Sequence, residues 1–115
     1  MPTNLDTVYL GHMASAVARI AEFVERVPRE DFEREWTLQN ALIRELEILG
    51  EAASKLSVEF VNANPEVPWK EMTGLRHKLI HDYFEVDLDI VWRTATVNVP
   101  EVAEFVKTAL EERNR

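Results

Sequence analysis

The sequence predicts an all-α fold, an antiparallel bundle of four to five helices, and three observations lead there. Apolar residues recur at three- and four-residue spacing over long stretches, and no stretch alternates as a strand does. The chain of 115 residues holds only three glycines, and its prolines fall at the edges of the periodic stretches. With 46% hydrophobic and 30% charged residues, the composition is that of a chain able to bury a core. At this length a single domain over residues 1–115 is expected.

The elements follow in order. Leu5, Val8, Tyr9, Met13, Ala16, Ile20, Phe23, Val24 and Val27 place an amphipathic helix over 5–27, stopped by Pro28. Residues 31–35 read as a short polar connection, after which Thr37 caps a second helix carrying Leu38, Leu42, Glu45, Leu49, Ala52 and Leu56. Asn64-Pro65 and Val67-Pro68 break the pattern and mark the main loop. A third helix is expected from Leu75 to Phe84, where Leu75, Leu79, Ile80, Tyr83 and Phe84 keep helical spacing. Asp87 is placed to cap a fourth helix running from Leu88 to about Val97. Pro100 suits the first turn of a final helix with Val102, Ala103, Phe105, Val106 and Leu110. Trp36, Trp69 and Trp92 are expected to pack rather than to form a base-stacking platform.

Composition also narrows function. Without cysteine there is no disulfide and no thiolate metal site. The N-terminus has no basic leader and no 18-residue apolar run occurs, so no membrane segment and a cytoplasmic location are expected. A net charge of -8 argues against a broad nucleic-acid surface, because such binding is phosphate neutralisation by Lys and Arg. Any RNA contact has to be local, and the acidic surface suits a basic protein partner. There is no Gly-rich phosphate loop and no nucleophile elbow, and no cofactor is expected. His77 and His81 stand at i, i+4, yet the Glu of a His-Glu-x-x-His zinc site is missing, so no metal is expected.

Two charges fall where a core should be. At about 100° per residue, Arg76 lies mid-stripe in the Leu75–Phe84 segment and Glu45 lies between Leu42 and Leu49. An isolated buried charge costs several kcal/mol, so Arg76 must be paired, face an interface or line a cleft. Glu45 and Arg76 are expected to pair or to share one polar cavity, either as an ion pair that orients two helices or as part of a site. His81 lies roughly 140° around a regular helix from Arg76, so the two share a face only if the helix starts, ends or distorts between them. A two-fold dimer with these segments at its axis would place two Arg and two His in one cleft. Taken alone, His81 is also readable as a solvated flank residue and Tyr83 as a core tyrosine with its hydroxyl at the cleft mouth.

Arg76, four residues, His81, one residue, Tyr83 resembles the Arg-x4-His-x-Tyr signature of the HepT-like branch of the HEPN ribonuclease superfamily. Tyr9-Leu10-Gly11-His12-Met13, Ala41 to Ala52, Pro68-Trp69 and Tyr83 to Trp92 resemble the family as well, so the likeness spans nearly the whole chain. It implies a helical bundle that dimerises through the motif region, a toxin of a toxin–antitoxin pair, and a metal-independent RNA endonuclease. By the same resemblance Arg76 and His81 are the catalytic pair. Tyr83 is the hydroxyl that a minimal nucleotidyltransferase antitoxin adenylylates. His77 stands where relatives often carry Asn, as a supporting group, and Glu85 stands where Gly is common. A different class of function is also open: a non-catalytic helical module that binds substrate for, or regulates, a nucleotidyltransferase.

Overall fold

The computed structural model describes residues 4–81 and 86–114, and every regular element among them is helical. They are α1 (Asn4–Arg26), α2 (Arg29–Arg34), α3 (Trp36–Ser54), α4 (Val58–Ala63), α5 (Trp69–His81), α6 (Leu88–Arg93), a π-helical turn over Thr94–Asn98, and α7 (Val99–Arg113). Helix α1 packs against both α3 and α7, and α3 packs in turn against α5. The bundle measures 47 × 27 × 20 Å.

Each long helix contributes one apolar stripe, as 3.6-residue periodicity requires. From α1 come Leu10, Met13, Ala16, Val17 and Ile20; from α3 Leu42, Leu46, Leu49, Ala52 and Ala53; from α7 Val99, Val102, Val106 and Ala109. Leu79 on α5 and Val91 on α6 join the same cluster. Fully burying a Leu, Ile or Met side chain contributes about 1.5–3 kcal/mol, so these stripes dominate the stability of the bundle.

The stripe on α1 is turned from its expected position at the N-terminal end. Leu5 and Val8 are exposed, while Asp6 is buried. The Asp6 carboxylate is taken inward because it accepts from Ser57 N and Ser57 Oγ, each at 2.7 Å, and faces Arg113 at 3.6 Å. A buried carboxylate with that many partners ties α1 to the start of α4 and the end of α7.

Short helices occupy stretches that read as connections. Residues 31–35 fall largely within α2, which a single residue anchors: Phe32 is fully buried against Phe23 and Trp92. Arg29 ties α2 to Asp89 on α6, and its hydrogen bonds to Glu33 and Asp89 hold its guanidinium pKa above the ordinary value. Glu35, not Thr37, is the N-cap of α3, and no side chain caps it. Gln39 instead donates to Phe32 O and Glu33 O and joins the two helices. Ser57 caps α4 by accepting from Phe60 N. Trp69 and Trp92 pack, but Trp36, at the first turn of α3 and off its stripe, is 70% exposed.

Beyond the second loop the helices run further than expected. Asp87 caps α6 through Asp89 N and Ile90 N, as predicted. Helix α6 does not end before Pro100; it continues through the π turn into α7. Proline lacks an N–H and its ring crowds the carbonyl four residues back, and a π turn relieves both. Here Val99 N donates to Thr94 O. Helix α5 begins at Trp69, earlier than expected, and runs through Gly74 to His81. The expected continuation of that helix to Phe84, with Tyr83 and Glu85, lies outside the described residues.

Candidate active site

Arg76 sits where α5 packs tightly across α3, and glycine makes that crossing possible. A Cβ built on Gly50 would stand 2.5 Å from Arg76 Cβ, a distance real Cβ atoms essentially never show, and a tight 3.0 Å from Met72 O. Gly inside a helix costs roughly 0.5–1 kcal/mol relative to Ala, so the helix accepts this residue in exchange for backbone contact. The next residue on α3 completes the arrangement. Glu51 Oε2 lies 2.5 Å from Arg76 Nη2, an ion pair between partly exposed side chains. Arg76 Nε is buried and has no hydrogen-bond partner among the described residues.

The expected partnership of Glu45 with Arg76 does not form. Glu45 pairs with Arg19 on α1 at 2.8 Å, and Glu51 takes Arg76. Six residues on a helix turn by about 600°, so Glu45 and Glu51 leave α3 on different faces. The true seam runs through Leu42, Leu46 and Leu49, and Glu45 flanks it beside α1. What survives is the reasoning about Arg76: a cation in mid-stripe is paired and lines a cleft.

That cleft, of about 480 Å³, opens between α1, α3 and the Arg76 end of α5. Arg44, Glu47, Ile48, Glu51, Ala52 and Lys55 form its α3 wall; their spacing of three and four makes them one stripe. Tyr9 and His12 form the α1 wall, their rings edge to face with centroids 5.6 Å apart. Arg44 reaches Glu47 at 3.4 Å and Lys55 reaches Glu51 at 3.9 Å. Three cations and two carboxylates therefore line it, a local positive balance in a chain of net charge -8.

His77 is exposed on α5 beside Arg76. His81 is the last residue of the same uninterrupted α-helix, and its backbone alone is described. Five residues of α-helix separate it from Arg76 by ~7.5 Å of rise and about 140° of turn. Tyr83 lies outside the described residues. Among the described residues, no group of three or more His, Asp and Glu is arranged to hold a metal ion, and no helix is long and apolar enough to cross a membrane. Sequence reasoning missed Glu51, Gly50, Tyr9 and His12 as members of this site. The one available signal was Gly50, a glycine inside a strongly periodic helix, which calls for a close packing partner.

The chain matches known proteins along most of its length. The family model described as ribonuclease HepT-like matches residues 13–109. A protein of Caldanaerobacter subterraneus named as a candidate RNase is 40% identical over 104 residues, a match covering 90% of this chain and 93% of that one. A probable ribonuclease HepT of Thermococcus cleftensis is 42% identical over 94 residues, covering 82% and 86%. A candidate RNase of Methanocaldococcus jannaschii is 37% identical over 116 residues, covering 98% and 100%. No solved structure matches the chain.

Proposed function

Given that the chain belongs to the HepT-like ribonuclease family, we propose that it is a metal-independent RNA endonuclease, the toxin of a toxin–antitoxin pair, whose site is assembled from Arg76 and His81 across a homodimer. The observation that supports this reading best is the setting of Arg76, clamped by Glu51 and Gly50 at the edge of a cleft while its buried Nε finds no partner among the described residues. An unsatisfied buried donor costs about 1–3 kcal/mol, and a helix bundle has no structural need of it. The register of α5 supports the dimer: Arg76 and His81 occupy positions about 140° apart on one regular helix. A second copy would supply the missing half.

RNA carries its own nucleophile, so two side chains suffice for the chemistry. His81 takes the proton of the 2′-hydroxyl, or returns one to the departing 5′-oxygen. The 2′-oxygen bonds to phosphorus, the bond from phosphorus to the 5′-oxygen breaks, and the products end in a 2′,3′-cyclic phosphate and a 5′-hydroxyl. Arg76 stabilises the charge that grows on the non-bridging oxygens. His77, exposed beside Arg76, is a supporting donor. AMP placed on Tyr83 by a minimal nucleotidyltransferase antitoxin would add bulk and negative charge where phosphate must approach, silencing the enzyme.

The test is cleavage of single-stranded RNA in excess chelator by the intact chain and by a folded His81→Ala variant, with DNA as control. RNA-only cleavage that leaves cyclic phosphate ends and vanishes in the variant is expected. An inert protein, shown by mass to carry no AMP on Tyr83, would instead make the chain a binding or regulatory module.

A further inference from the structure

We propose that the cleft beside Arg76 is a nucleotide-binding subsite, which seats the unit of single-stranded RNA next to the bond that is cut. This deepens the ribonuclease reading and rests on it for the placement of the scissile phosphate at Arg76. The cleft's size and chemistry both fit. At about 480 Å³ it lies within the 300–1,000 Å³ range of small-molecule sites. Its lining is divided as a nucleotide is divided. Ile48 and Ala52 form an apolar floor, Tyr9 and His12 an aromatic wall, and Arg44 and Lys55 a cationic rim continuous with Arg76.

Each component has its own reason to engage RNA. Unpaired bases stack on Tyr and His rings whatever their sequence, because every base has a π-face. Among the described residues Arg44 and Lys55 are held by long pairs, 3.4 Å to Glu47 and 3.9 Å to Glu51, and both cations are themselves open to water. Such pairs contribute little, so a phosphate exchanges for the carboxylate at small cost. Glu47 and Glu51 also face the cleft; they orient the rim before the ligand arrives, and the three cations outnumber them. The subsite accounts for how a chain of net charge -8 reaches a polyanion: the contact is one narrow cleft where Arg76 of α5 tips the balance of the charged α3 wall to positive, not a surface.

The experiment measures affinity rather than turnover. A short, fluorescein-labelled 2′-O-methyl RNA, whose blocked nucleophile makes it uncleavable, is titrated into the full chain by fluorescence anisotropy over a range of salt. The paired substitution Arg44→Ala/Lys55→Ala should weaken binding about tenfold and flatten the dependence of log affinity on log salt by ~1.4, the value for two phosphate contacts on a single strand. His12→Ala should weaken binding by about fivefold and leave the salt slope alone, since stacking releases no counterions. Replacing the exposed Arg26 and Arg34, remote from the cleft, should change neither quantity. Unchanged affinity and slope in the paired variant, or no binding by the parent chain, overturns the subsite. Because the probe cannot be cut, binding lost on Arg44→Ala/Lys55→Ala upholds the subsite even in a protein that cleaves nothing. Cleavage of ordinary RNA with an unaffected paired variant sinks the subsite alone.

Discussion

Two arginines, Arg113 and Arg76, each reach a carboxylate on another helix, and they are built to opposite standards. Asp6, 1% exposed, accepts from Ser57 N and Ser57 Oγ and faces Arg113, which also donates to Thr7 and lies over the Phe60 ring. At the other end of the comparison, the Glu51–Arg76 pair is partly open to water and leaves Arg76 Nε buried without a partner among the described residues. A buried charge placed for stability has its lone pairs and donors filled, because each one left empty costs about 1–3 kcal/mol. The first site meets that standard. The second falls short of it and borders a cleft, in keeping with the role proposed for Arg76.

Separating stability from activity breaks or sharpens this contrast, and the largest effect belongs to Arg76. Arg76→Ala should lower RNA cleavage about 10²–10³-fold, the usual cost of removing one group that stabilises transition-state charge. Its urea midpoint should barely move, since Glu51 left behind is open to hydration. A variant that unfolds early and cleaves normally per folded molecule would reverse the assignment.

Asp6→Ala is the counterpart. It strands Arg113 and two Ser57 donors in a largely buried place, and about 3 kcal/mol of unfolding free energy should be lost. Chemical denaturation reads the loss, while cleavage per folded molecule should stay at the parent value. If activity falls in step with an intact fold, the latch is more than structural.

Two glycines supply the smaller effects, with opposite signs. Gly50→Ala drives a methyl into Arg76 Cβ and Met72 O, and relieving it should cost about 1–3 kcal/mol and displace Arg76 enough to reduce cleavage. Gly74→Ala adds a methyl that meets nothing within 4 Å, inside the regular helix α5. It should stabilise the chain by roughly 0.5–1 kcal/mol through helix propensity. Thermal unfolding of the two variants side by side is the check; a shift of the same sign in both would mean that the α3–α5 crossing is not as tight as described.

Much of this molecule was legible in its periodicity. The spacing of apolar residues along α1, α3 and α7 announced the bundle, Asp87 announced the cap of α6, and Arg76 in mid-stripe announced a cation needing a partner. Periodicity is a local property, dictated by 3.6 residues per turn, so sequence alone determines it. Which side chain meets which is not local. Glu45 and Glu51 sit on the same helix and are the same amino acid, and only the approach of α1 to one face and α5 to another gave Arg19 to the first and Arg76 to the second. Asp6 likewise looked like an ordinary acidic residue of a first turn until α4 and α7 closed over it. Short helices escaped notice because a single buried residue, Phe32 in α2, is too little for a pattern. The sequence by itself determined the long helices, most of their apolar faces and the family signature; the tertiary structure decided the pairing of charges and the cleft they line, because both depend on the rotation at which whole helices pack.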